Sequence, residues 1–310
     1  MFFNNGLLKK YNTDQLLIDT DASVHSGIPK KYYNLKDKIF NDWEIPPWEL
    51  FIFKDKLLGS GTFSNVYLAK WRETFVVAKV INSSLVDFKK HLIEREINIM
   101  TRLHHPNIVQ FLGFIDNPFV IVMEYIPNGN LQERIPYLNK KTKIKIMINI
   151  LQGLAYLHKR LPESLIHRDI KPTNIILTSS NFAKITDFGL SKLHCLTKNM
   201  SVNDLTALEN IKNYTNENSE LTDIVGTERY MAPEIKENNN NYTEKIDIYS
   251  TGILLYEMFE NKKYYKGEKF KWYKCPKKIK QIIVDYMLND DPNKRLDAIK
   301  ILKILDYQIK

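Results

Sequence analysis

A carboxylate, an ammonium and a carboxamide stand close together at Asp169, Lys171 and Asn174, in the stretch LIHRDIKPTNIIL (165–177). These residue types suit phosphoryl transfer. A carboxylate orients an attacking hydroxyl and accepts its proton, a cation offsets charge on the transferred group, and an amide oxygen holds a magnesium ion. A second carboxylate, Asp187, follows in ITDFGLS, and a glycine-rich turn, LGSGTFSNV (58–66), lies far upstream. Any one of these features could arise by chance. All three in this order form a specific signal.

The elements that must position them can be read from periodicity. Leu165 and Ile166 lead into the polar loop, and Ile175 to Leu177 resume a buried strand. From Phe51 the chain alternates as β structure, and the turn holding Gly59 and Gly61 joins two strands. A dinucleotide fold would need strand–turn–helix, but the β-like Val66, Tyr67 and Leu68 follow the turn, which favours a hairpin. Glycine there lets backbone N–H groups approach phosphate oxygens. The strand Phe75 to Ile81 carries Lys79. In the next segment Leu92, Ile93, Ile97 and Met100 recur at helical spacing. FVIVMEYIPNGNL (119–131) reads as a buried strand entering a turn at Asn128–Asn130. KTKIKIMINILQGLAYLHKR, IDIYSTGILLYEMF (246–259) and residues 279–305 read as helices.

With HRDIKPTN, ITDFG, the glycine turn and the strand lysine in place, the chain resembles the eukaryotic protein kinase family over about residues 48–305. The resemblance implies that Thr227 in GTERYMAPE (226–234) hydrogen-bonds Lys171 and Asp169, its pairing with Lys171 being the serine/threonine pattern, and WEIPPWEL (43–50) is similar to the entry of the tyrosine-kinase-like group. The resemblance implies an α+β, two-lobed fold: a β-rich N-lobe with one key helix (48–125) and a mainly helical C-lobe (126–305). It leaves an N-terminal extension (1–47), expected to be partly disordered, and a short tail (306–310). The implied reaction is transfer of the ATP γ-phosphoryl group to serine or threonine hydroxyls of protein substrates. Asp169 is implied as the base and Lys171 as its catalytic partner. Asn174 and Asp187 are implied to hold Mg2+, with Mn2+ as an alternative ion. ATP contacts fall on Leu58, Gly59, Ser60, Gly61, Thr62, Phe63, Ser64, Asn65 and Val66. They fall also on Lys79, on its ion-pair partner Glu96, and on Met123, Glu124, Ile126 and Ile176. Glu94 is the alternative to Glu96 and is expected to face solvent.

Further roles follow from the same resemblance. Phe188 joins Met100, Phe111 and His167 in a packed column, which makes His167 structural. Glu234 pairs with Arg295, and Asp247 accepts hydrogen bonds from the catalytic-loop backbone. The segment from Asp187 to Glu234 is longer than the family norm, polar and rich in asparagine, and is expected to be disordered. Thr215, Ser219 and Thr222 are candidate phosphate acceptors there, with Arg168 as the residue that meets the phosphate and an upstream kinase as the partner. Three departures stand out. Ser64 replaces the third glycine of the loop, Val77 replaces the alanine above the adenine, and residues 260–279 are short and basic where the family has a longer helical docking region.

Bulk properties set outer limits. A chain of 310 residues with 44% hydrophobic and 26% charged residues suits an ordinary globular protein with a substantial core. The net charge is +9, but lysines read as scattered, asparagine and isoleucine are abundant, and no basic stripe interleaved with aromatics is evident, so nucleic-acid binding is disfavoured. Two cysteines, Cys195 and Cys275, fit neither a disulfide framework nor a zinc site. The start MFFNNGLLKK lacks a signal-peptide core and no apolar run reaches membrane-span length, so a cytoplasmic protein with no membrane partner is expected. Oligomeric state leaves no trace in the sequence. Two alternatives stay open: a nucleotide-binding scaffold without turnover, and a tyrosine or dual-specificity kinase.

Overall fold

The computed structural model describes residues 43–61, 64–82, 96–160, 163–188, 192–195, 228–236 and 242–309. The expectations placed on Thr62, Phe63, Glu94, Thr215, Ser219, Thr222, Thr227 and the extension before Trp43 lie outside the described residues. The chain forms two compact units. Among the described residues the first comprises 43–82 and Phe111–Tyr125, and the second comprises 96–110 and the residues from Ile126 onward.

The first unit is a five-stranded antiparallel sheet of β1 (Leu50–Ser60), β2 (Ser64–Trp71), β3 (Thr74–Ile81), β4 (Phe111–Ile115) and β5 (Val120–Glu124), in the order β1-β2-β3-β5-β4. Side chains on a strand alternate between faces. In β3 this puts Val76 and Ala78, both fully buried, into the core with Leu50, Ala69 and Val122, and sets Val77 and Lys79 together on the other face. Val77 therefore shares its face with Lys79. The lead-in WEIPPWEL lies along β4. Ile45 N–H donates to the Phe114 carbonyl and Phe114 N–H to the Trp43 carbonyl, both at 2.8 Å, and the Trp43 ring packs 5.3 Å from that of Phe111.

The second unit holds α1 (Leu131–Arg134), α2 (Lys140–His158), β6 (Glu163–Ile166), β7 (Ile175–Leu177), β8 (Ala183–Ile185) and β9 (Lys192–Cys195). These are followed by α3 (Pro233–Lys236), α4 (Lys245–Glu260), α5 (Lys277–Tyr286) and α6 (Ala298–Ile309), with a helical stretch at 96–100. Almost every residue of α4 is buried, its carboxylates Asp247, Glu257 and Glu260 included. In α5 the buried residues Ile279, Ile282 and Ile283 lie at the spacing of one helical stripe. Residues 261–276 contain no helix, in keeping with the shortened region. No helix among the described residues is long and apolar enough to cross a membrane.

Helix α2 sets the place of the β7–β8 hairpin, and Gly153 is what lets it come close. A Cβ there would stand 2.8 Å from Ile185 Cδ1 and 3.1 Å from the Asn107 carbonyl oxygen. Gly153→Ala should therefore cost about 1–3 kcal/mol by overpacking, despite alanine's better helix propensity. Chemical denaturation checks this, and an alanine variant as stable as the original would contradict it.

Candidate active site

Each unit carries part of the predicted residue set. In the first unit the β1–β2 hairpin presents the glycine turn. Gly59 faces Val66 and Ser60 faces Asn65 in register, and Gly61 N–H donates to the Ser64 carbonyl at 3.0 Å. Leu58, Ser60 and Gly61 are exposed and Asn65 and Val66 half-buried, while Ser64, in place of the family glycine, is buried. Met123 is buried near the end of β5, and Glu124 is half-buried.

In the second unit the central loop is held from beneath by one carboxylate. Asp247, fully buried in α4, accepts from the backbone N–H groups of His167 and Arg168, both at 2.8 Å, and from His158 Nε2 at 2.9 Å. Burial alone would raise its pKa, but the hydrogen bond and charge of His158 and the Arg168 N–H outweigh that and hold it below the ordinary carboxylate value. A depressed carboxylate contributes stability above its unfolded pKa and loses it as pH falls through the folded one. Acid titration should thus destabilise the protein below about pH 4, and Asp247→Asn should flatten that dependence and lower stability at neutral pH. Circular dichroism against pH reads both. An unchanged acid limb in the variant would contradict the assignment.

The anchor also fixes an unfavourable backbone. Arg168 has φ of 72°, in the left-handed region, which costs an ordinary residue roughly 1–2 kcal/mol. The Asp247 bond to its N–H holds it there, and its guanidinium lies 5.6 Å from the Tyr242 ring. His167 is fully buried. It receives the Asp169 N–H on Nδ1 at 3.3 Å, sets Nε2 3.0 Å from the Thr186 carbonyl, and meets the buried Phe188 ring edge-on at 5.1 Å. It has the structural role that the resemblance implied.

On this base the three chemical groups converge. Asp169 Oδ2 accepts from Lys171 Nζ and from Asn174 Nδ2, both at 2.9 Å, and Asn174 Nδ2 also donates to the Asp169 carbonyl at 2.9 Å. Asp169 Oδ1 is buried and has no hydrogen-bond partner among the described residues. A buried acceptor without a donor costs free energy, so an incoming donor would be favoured there.

The β7–β8 hairpin completes the arrangement. Ile175 pairs with Ile185, so Asn174 and Asp187 both lie just beyond the same end of one short ladder, and Thr186 N–H donates to the Asn174 carbonyl at 3.0 Å. Asp187 is exposed, with φ of 66°, and the next residue, Phe188, turns into the core. Asn174 spends its amide N–H groups on Asp169, which leaves its Oδ1 for a cation. One carboxylate and one amide oxygen suit Mg2+, which keeps several waters and binds through one or two protein ligands together with substrate phosphates. No cluster of three or more His, Cys, Asp or Glu exists among the described residues. Ile176, half-buried in β7, bridges to Asn130, and the carbonyl of Gly129, with φ of 77°, accepts from Leu177 N–H at 3.0 Å. Thus the turn after Ile126 is tied to the hairpin. Glu96 is buried in the helical stretch, whereas Lys79 is half-buried on β3.

Glu234 and Arg295 pair as expected, through bonds of 2.7 and 2.9 Å from the two terminal guanidinium nitrogens. Sequence reasoning missed His158, whose contact with Asp247 spans 89 positions and follows no local pattern. It also missed Glu257, which is buried and takes the Tyr230 hydroxyl at 2.6 Å and the Tyr264 N–H at 2.8 Å. A glutamate inside an otherwise apolar helix was the available signal.

Comparison with known proteins places this arrangement. The protein kinase domain family matches residues 53–305. Serine/threonine-protein kinase VIK of Arabidopsis thaliana is 33% identical over 86% of the chain and 62% of its own length. Serine/threonine-protein kinase 12 of the same plant is 33% identical over 71% of the chain and 45% of its own length. Mitogen-activated protein kinase kinase kinase 7 of Mus musculus is 31% identical over 78% of the chain. It too is longer, the chain covering 37% of it. The chain spans less than two thirds of each of these relatives, and it belongs to the protein kinase family.

Proposed function

We propose that the chain transfers the γ-phosphoryl group of ATP to serine or threonine hydroxyls of protein substrates. The observation that carries the reading is the Asp169 carboxylate. One oxygen is held by Lys171 and Asn174, and the other is buried without a donor among the described residues. A substrate hydroxyl donating to Oδ1 would be oriented for attack on phosphorus and would hand its proton to the carboxylate as the new O–P bond forms and ADP leaves. Lys171 beside it offsets charge on the transferred group. Leu58–Val66, Lys79 with Glu96, Met123, Glu124, Ile126 and Ile176 are the residues assigned to ATP. Asn174 and Asp187 would hold Mg2+, or Mn2+ in its place. The ion supplies charge neutralisation on the phosphates. Catalysis is then mainly positioning and electrostatics. The names of the relatives support the serine/threonine class, and the length of the segment after Asp187 supports control by an upstream kinase.

The test is phosphoamino-acid analysis after incubation with labelled ATP and a generic protein substrate. Phosphoserine or phosphothreonine is expected, and phosphotyrosine as the main product would contradict the acceptor class. Asp187→Asn should abolish transfer by losing a metal ligand. Near-original activity in that variant would overturn the metal assignment.

A further inference from the structure

We propose that the segment from Lys262 to Lys280 is a docking surface for an acidic stretch of the protein that this kinase phosphorylates. The proposal rests on the transfer reading above and adds the class of substrate. The lysines are not evenly scattered along the chain. Residues 262–280 contain nine lysines and one acidic residue, Glu268, a net +8 out of +9 for the whole chain. All nine lysines are exposed, and Lys262 pairs with Glu268 at 3.4 Å. The rest of the molecule is close to neutral. A charge asymmetry of this size is a local field, not a drift of composition, and it draws polyanions.

The segment has a fixed shape although it holds no helix before Lys277. Two buried carboxylates of α4 staple it. Glu260 accepts from the backbone N–H groups of Tyr273, Lys274 and Cys275 at 2.9–3.1 Å, and Glu257 accepts from Tyr264 N–H. Tyr256, Tyr264, Phe270 and Trp272 pack beneath it. Phe270 stacks on Tyr264 at 4.7 Å, and Trp272 meets Tyr256 edge-on at 4.9 Å. Lysines carried on a stapled loop present a preformed array, so binding need not order the backbone.

Three features choose an acidic protein over other polyanions. Tyr264, Phe270 and Trp272 are turned onto one another and onto Tyr256, which leaves only Tyr265 and Tyr273 exposed and no run of open faces along which successive bases could stack. No Leu, Ile, Val, Phe or Trp of 262–280 is exposed, and of its aromatic side chains only the amphipathic Tyr265 and Tyr273 are, which gives a bilayer little to take in. Finally, the segment is tied to residues 228–230, which lead into Glu234. The Tyr230 hydroxyl donates to Glu257, and the Arg229 guanidinium lies 5.8 Å from the exposed Tyr265 ring. A partner held on the lysines is thereby held beside the closing end of the segment that begins at Asp187, where a protein with an acceptor hydroxyl would be.

The test uses the full chain and two readouts. Fluorescence anisotropy measures binding of a labelled peptide with six consecutive glutamates, without ATP. The affinity should fall with added salt. It should weaken at least about tenfold when Lys269→Glu, Lys271→Glu and Lys277→Glu are combined, since each exposed charge pair adds a modest increment. A control combination with the same change of net charge elsewhere, Lys54→Glu, Lys159→Glu and Lys303→Glu, should leave binding within about twofold. In transfer assays the first combination should raise KM for an acceptor peptide carrying the glutamate tail, while kcat and KM for the untailed peptide stay unchanged. Equal weakening by both combinations would overturn the proposal. So would binding of an oligothymidylate or of phosphatidylserine vesicles with no binding of the glutamate peptide. If no form transfers phosphate, the transfer reading fails, and the binding readout still decides whether the surface takes acidic chains.

Discussion

Asp169→Asn should lower kcat by roughly 10² or more while leaving the fold and ATP affinity nearly unchanged. The argument lies in the hydrogen bonds. Lys171 and Asn174 both donate to Oδ2 at 2.9 Å, so the carboxamide of the variant must turn its oxygen toward them. Its NH2 then occupies the place of Oδ1, the buried oxygen that has no donor among the described residues. A hydroxyl arriving there meets a donor in place of an acceptor, and no group takes its proton. Steady-state transfer rates, with a thermal melt alongside, separate this from unfolding. A loss smaller than about tenfold with an unchanged melt would mean that Asp169 is not the base.

Arg295→Met should destabilise the protein by about 3–5 kcal/mol, the range for breaking a buried ion pair from one side. Arg295 is 1% exposed, and its donors go to the Glu234 carboxylate and to the carbonyls of Lys245, Asn289 and Asp290, with the Tyr249 ring 4.9 Å away. Methionine fills much of the volume but leaves Glu234 and three carbonyls without their partner. For a domain of this size the melting temperature should drop by roughly 10 °C. The double variant Arg295→Met, Glu234→Gln should recover part of the loss, because the stranded charge is gone. A fall of only a degree or two in the single variant would show that the pair is dispensable.

What could be read in the sequence was whatever depends on short-range spacing. Asp169, Lys171 and Asn174 share one loop, and the alternation around Val76–Lys79 marks which face carries the lysine, so their arrangement follows from local rules. The Glu234–Arg295 pair was legible only through the resemblance, since 61 positions separate the partners. What stayed hidden depends on tertiary contact. Nothing local marks His158 as a partner of Asp247, or Arg168 as left-handed, because both follow from where α4 lies beneath the loop. The basic character of 260–279 was legible in the sequence, but only the stapling by Glu257 and Glu260 makes it a surface.

The central claim is phosphoryl transfer by this chain, and the most direct measurement is label from γ-labelled ATP appearing in a protein substrate with magnesium, beside the Lys79→Met form. Label transferred by the original protein and lost in Lys79→Met is the predicted result. Magnesium-dependent ATP binding with no transfer, persisting after treatment with an upstream kinase, would contradict it and leave a nucleotide-binding scaffold.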